Sequence, residues 1–232
     1  MPEQVDAVLS AREWAQVSGQ RALVYNWFST LYAAEVPQCL LNSYLAGEAT
    51  PLFEGFSALG FGDEGQRLEN ALDALREVEA AHLELAADFA QLFLLDGKTG
   101  ALPYASAYDT EQTRLFGPAE ARMRAFLANA SLAVEDEFKE PADHIAIYLA
   151  VMAQLIEQHS NASDTATAAY DQEAFLQDAL LGWIPVFNAR NQQASPRFDF
   201  YPALSALLVV FVEHDTNFVG EIAQSFVSAD SV

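Results

Sequence analysis

The chain has 232 residues, 52% of them hydrophobic, enough to bury one sizeable core or two packed halves. Its 33 acidic residues against 11 basic ones leave a formal charge of −22. That balance argues against a nucleic-acid partner, which needs a basic face; it permits a basic partner, or serves only to keep the protein soluble.

The elements follow in chain order. From Val5 to Tyr32, Val8, Leu9, Trp14 (near the stripe), Val17, Leu23, Val24, Trp27, Phe28 and Leu31 recur at helical spacing, with Gly19 a place where the helix could break. Pro37 and Pro51 each suit the start of a short helix. DEGQRLENALDALREVEAAHLELAADFAQLFLL, residues 63–95, predicts one long helix or two joined near His82. Leu68, Leu72, Leu75 and Val78 line one apolar stripe, and Leu85, Phe89, Leu92 and Phe93 line the next. DGKTGALPYASAYDT, residues 96–110, breaks the period with two glycines and a proline and predicts a loop. Pro118 opens a helix running to about Ala130, and the acidic SLAVEDEFKEPAD, residues 131–143, connects it to the next.

That next helix carries Ile145, Tyr148, Leu149, Met152, Leu155 and Ile156 on one face, with Pro141 and Asp143 suited to its first turn. SNASDTATAA, residues 160–169, reads as a small, polar linker. Phe175–Phe187 and Tyr201–Phe218 complete the helices, with Pro185 and Pro202 at bends or starts, and SFVSADSV is a loosely held tail. The longest apolar run, ALSALLVVFV, is too short to span a bilayer and suits a buried helix. MPEQVDAVLSAREW lacks the apolar segment of a signal peptide, and the single cysteine, Cys39, fits a reducing compartment. A soluble, cytoplasmic protein without membrane insertion is expected.

No stretch alternates with the period of a strand, and no internal repeat is evident. The expected fold is all-α, about ten helices in two packed halves, residues 1–130 and 144–232, with residues 131–143 as hinge and recognition loop. Such halves can exchange between two chains if the hinge extends, so a monomer and a domain-swapped homodimer are expected to coexist.

The chemistry is sparse. A di-iron bundle needs two Glu-x-x-His pairs, and only Glu79/His82 is present. There is no nucleophile elbow, no Walker loop and no dinucleotide fingerprint, so no metal and no cofactor are expected. Asp143 and His144 are the one acid–base pair worth weighing. Neighbours on a helix do not face each other, which leaves them either tying a loop to a helix start or serving a nucleotide-hydrolysing or cofactor-processing enzyme. Tyr104 and Tyr108, in a loop beside Pro103, either seal the core or line a recognition groove.

Taken together, LELAADFAQLFLLDGKTGALPYASAY followed by EPADHIAIYL resembles the TorD family of redox-enzyme maturation chaperones, whose relatives include the DmsD and NarJ types. The resemblance rests on Phe89, Leu92 and Phe93, on Pro103-Tyr104-x-Ser106-x-Tyr108, and on Glu140-Pro141-x-Asp143-His144, within about a third of the chain. HIAIYL and ALPYASAY look like the TorD subgroup. The resemblance implies an all-helical cytoplasmic chaperone and not an enzyme. It would bind an apo-molybdoenzyme, with trimethylamine N-oxide reductase as the subgroup's client, and guard its twin-arginine signal peptide until the molybdenum cofactor is inserted and the enzyme exported. The recognition surface it implies comprises Pro103, Tyr104, Ser106, Tyr108, Glu140, Pro141, Asp143 and His144. An apolar groove lined by Phe89, Leu92, Phe93 and Tyr104, with Glu140 and Asp143 meeting arginines, would complement such a signal.

Overall fold

The computed structural model describes residues 9–95, 97–109, 117–130, 132–134 and 138–229. Val5 and Val8 of the first predicted helix, parts of the connection 131–143 and the end of the tail lie outside the described residues. The fold is all-α, as the helical periodicity predicts. Among the described residues ten α-helices follow one another: α1 Ala11–Ala33, α2 Gln38–Leu45, α3 Thr50–Ala58, α4 Gly62–Arg76, α5 Ala81–Phe89, α6 Pro118–Asn129, α7 Ile145–His159, α8 Thr165–Phe175, α9 Ile184–Gln193 and α10 Phe200–Ala229. The one β-type pairing among them is an isolated antiparallel bridge between Tyr104 and His144.

Several boundaries differ from the sequence-based expectation, each for a local reason. α1 runs through Gly19 without a break. For the long segment 63–95 the second of the two expected forms holds, two helices joined near His82: they part where Ala80 takes a left-handed backbone, φ 58°, a conformation costing a residue with a Cβ about 1–2 kcal/mol. α5 then widens into a π-helical turn, Ala90–Leu95. The polar stretch 160–169 is linker only in its first half. Asp164 accepts the Thr167 N–H at 3.0 Å and caps α8, so the second half is helical. A second π-helical turn, Leu176–Leu181, separates α8 from α9.

Contacts divide the chain into two units, each drawn from several stretches: residues 1–30, 146–182 and 212–232 in one, 31–145 and 183–211 in the other. The first unit is built on α7, whose Tyr148, Leu149, Met152 and Ile156 are buried. Trp14 Nε1 donates to the His159 carbonyl at 3.0 Å, and Ser29 Oγ to the Ala146 carbonyl at 2.8 Å, fixing α1 along α7. α10 is long and apolar enough to cross a membrane by length and composition. Its Asp215 is buried and bonded to Arg21 and Tyr25, the environment of a core helix packed in protein.

The second unit centres on aromatic rings. Phe93 meets Tyr32, Phe89 and Tyr201 edge-on at centroid distances of 5.8, 5.1 and 5.2 Å, and stacks on Phe187 at 6.1 Å. The segment leading into α10 is held by Asp88, which accepts the N–H groups of Arg197 and Phe198 at 2.7 and 2.8 Å.

Candidate functional site

Two short loops of the second unit meet. The first starts at Ala101, whose N–H bonds the Leu92 carbonyl at 2.8 Å and ties the loop to the π-turn. Pro103 favours extended backbone at Leu102 before it, and Tyr104 after it is also extended, at φ −126°, ψ 130°. A single 3₁₀ turn, Ala105–Tyr108, follows. The second loop is a turn, with His144 N–H on the Pro141 carbonyl at 3.0 Å, ending where α7 begins at Ile145. Asp143 therefore precedes the helix. Its carboxyl serves the neighbouring loop and not the helix dipole as the sequence suggested.

The loops pair like a fragment of a sheet. Ala105 N–H donates to the Asp143 carbonyl at 3.0 Å and Ile145 N–H to the Pro103 carbonyl at 2.8 Å. Asp143 Oδ2 accepts the Ser106 N–H at 2.9 Å. Tyr104 donates its hydroxyl to Glu140 Oε2 at 2.5 Å. The His144 ring lies between the edges of Tyr104 and Phe138, at 5.2 and 5.4 Å.

Burial sorts these residues. Asp143 and Ser106 are 0% exposed, His144 is 3% exposed, and Pro103 and Tyr104 are also buried. Tyr108, Glu140 and Pro141 are half-buried and reach the surface. Burial lowers the His144 pKa to about 4, so at neutral pH the imidazole is uncharged. Burial, then the Glu140 hydrogen bond, pushes the Tyr104 phenol up, so it stays a donor.

Phe89, Leu92 and Phe93 are all buried within the aromatic core. They do not line an open groove in this structure: Phe89 and Phe93 pack on each other and on Tyr201, and Leu92 is 1% exposed. The exposed apolar groups nearby are Leu94 and Leu95, 54% and 74% exposed, at the end of that turn.

A further cluster was not singled out from the sequence. Tyr108 stacks on Trp183 with centroids 5.7 Å apart, and its hydroxyl donates to the Leu102 carbonyl at 2.8 Å. The Arg190 guanidinium lies over the Tyr108 ring at 5.7 Å and donates to the Gly97 carbonyl at 2.8 Å. Trp183, Phe187 and Arg190 stand at i, i+4 and i+7, a spacing that could have grouped the residue that precedes α9 with one face of that helix. Among the described residues no group of three His, Cys, Asp or Glu is arranged to hold a metal ion. Asp143 and His144, both buried, offer a substrate no accessible acid–base pair.

A family model described as "Nitrate reductase delta subunit" matches residues 60–189, which include both loops. A "Chaperone protein TorD" from Psychrobacter sp. (strain PRwf-1) is 37% identical over 219 residues, covering 93% of this chain and 99% of its own. One from Photobacterium profundum is 38% identical over 215 residues, covering 90% and 98%. A third, from Actinobacillus pleuropneumoniae serotype 3 (strain JL03), is 37% identical over 198 residues, covering 85% and 95%.

Proposed function

The chain belongs to the TorD chaperone family, within the nitrate reductase delta subunit class, and from that premise we propose that it matures a molybdoenzyme in the cytoplasm by holding the apo-enzyme and its twin-arginine signal peptide. It is a chaperone by kinship and not an enzyme. The client proposed is trimethylamine N-oxide reductase.

The observation that carries the peptide reading is the clasp of the two loops, which brings the half-buried Glu140 and Pro141 beside Tyr104. The recognition surface proposed is built from Pro103, Tyr104, Ser106, Tyr108, Glu140, Pro141, Asp143 and His144. Phe89, Leu92 and Phe93 support it from the core, and Leu94 and Leu95 offer exposed apolar area. A basic segment followed by an apolar one is chemically complementary to a surface that offers both an acidic group, Glu140, and exposed leucines.

Calorimetry with a synthetic twin-arginine signal peptide at several salt concentrations tests this. An exposed ion pair is worth about 0.2–1 kcal/mol, so two arginines give an expected loss of about two- to thirtyfold in affinity as salt screens them. Affinity should then level off, because the apolar part persists. Absence of binding would remove the reading, and binding indifferent to salt would remove its electrostatic half.

The connection 131–143 is proposed as the hinge of a domain-swapped homodimer in equilibrium with monomer. Extended, about ten of its residues span about 33 Å. Size-exclusion chromatography with light scattering, repeated after days of storage, is expected to resolve both species. A single monomer peak at all concentrations would rule the dimer out.

A further inference from the structure

Asp143 exposes no surface, yet four hydrogen bonds converge on it and its neighbours. Its Oδ2 takes the Ser106 N–H at 2.9 Å. Its carbonyl takes the Ala105 N–H at 3.0 Å, Ile145 N–H reaches the Pro103 carbonyl at 2.8 Å, and His144 N–H closes the turn on Pro141 at 3.0 Å. Asp143 Oδ1 is buried with no hydrogen-bond partner among the described residues. A buried carboxyl oxygen without a partner is costly, so such a residue has to be held in place by its other bonds.

Glu140 is placed differently. One of its oxygens, Oε2, accepts the Tyr104 hydroxyl at 2.5 Å. Its side chain is half-buried, at the rim of the same turn. Tyr104 is itself held by the bridge to His144 and by that ring's edge. The chain of positions therefore runs from Asp143 to the 3₁₀ turn, from there to Tyr104, and from Tyr104 to Glu140.

We infer that Asp143 is a positioning residue that never touches the peptide, and that Glu140 is the group that meets its arginine. This rests on the peptide-binding function proposed above and divides that surface into an inner clasp and an outer contact. His144 belongs to the clasp, a neutral ring wedged between Tyr104 and Phe138.

Three variants of the full chain separate the roles. Glu140→Gln keeps an acceptor for Tyr104 and removes the outward charge. Asp143→Asn keeps an acceptor for the Ser106 N–H and removes the inner charge. Asp143→Ala removes both acceptor and charge. Each is titrated with a synthetic twin-arginine peptide across salt concentrations, and amide exchange at Ser106 is followed in the free protein.

Glu140→Gln should flatten the salt dependence. Asp143→Ala should weaken binding and speed exchange at Ser106 by about tenfold each, the worth of one buried hydrogen bond, with the slope of the salt dependence kept. Asp143→Asn should rescue most of both losses and keep the same slope. A salt dependence flattened by Asp143→Asn, or left intact by Glu140→Gln, would overturn the division. If Asp143→Ala fails to fold, Asp143→Asn decides alone. If the unaltered chain binds no such peptide, the function reading falls, while the exchange measurement still judges the clasp: protection of Ser106 lost in Asp143→Ala and regained in Asp143→Asn supports it, and protection unchanged in Asp143→Ala refutes it.

Discussion

Phe93→Ala is expected to destabilise the protein by about 3–5 kcal/mol, the usual cost of emptying a large aromatic site in a packed core. Phe93 is 1% exposed, and its ring meets those of Tyr32, Phe89, Phe187 and Tyr201. Removing it opens a cavity that the other large rings around it cannot easily refill. For a chain of this size, each kcal/mol lowers Tm by about 2–4 °C, so the midpoint should fall by about 6–20 °C. Denaturant and thermal unfolding measure both. A variant with unchanged stability and impaired peptide binding would instead put Phe93 on the recognition surface.

Arg21→Ala should cost about 3–5 kcal/mol, because it strands a buried carboxylate. Arg21 Nε and Nη2 meet the two oxygens of Asp215 at 2.5 and 2.9 Å, and Nη1 meets Gln172 Oε1 at 2.8 Å. Tyr25 donates to Asp215 Oδ2 at 2.7 Å. The guanidinium also lies 5.9 Å from the Trp14 ring and 5.5 Å from that of Phe218. Burial, and then the Asp215 charge, raises the Tyr25 pKa well above the usual phenol value, so that hydroxyl remains a donor. The double variant Arg21→Met, Asp215→Leu should lose much less than the two single losses added, since it leaves no unpaired charge. A cost below about 1 kcal/mol for Arg21→Ala would mean that water reaches the pair and screens it.

The helical fold was legible because its signal is local. Leu68, Leu72 and Leu75 on α4, and Tyr148, Leu149 and Met152 on α7, repeat at the helical period, and all are buried. The breaks were less legible. The join near His82 was one of two forms the sequence allowed, but the left-handed Ala80 that makes it has no propensity signal, and the π-turns add one residue to a helix without any marker residue. The cap at Asp164 could have been read, since Asp followed three residues later by a helical N–H is a known start, but the small, polar stretch around it masked it.

The sequence by itself determined the helical class, the family and the two loops that carry its motifs, because periodicity and short motifs are written in consecutive residues. It could not say which way an apolar stripe faces. Phe89, Leu92 and Phe93 would show the same spacing on a groove as in a core, and only packing against Tyr32, Phe187 and Tyr201 decided for the core. The tertiary structure alone joined Asp143 to Ser106 and Arg21 to Asp215, pairs far apart along the chain. A hydrogen bond or ion pair depends on distance in space. Once the chain has folded, a buried group bonds whatever the packing brings beside it, and separation along the sequence carries no trace of that partner.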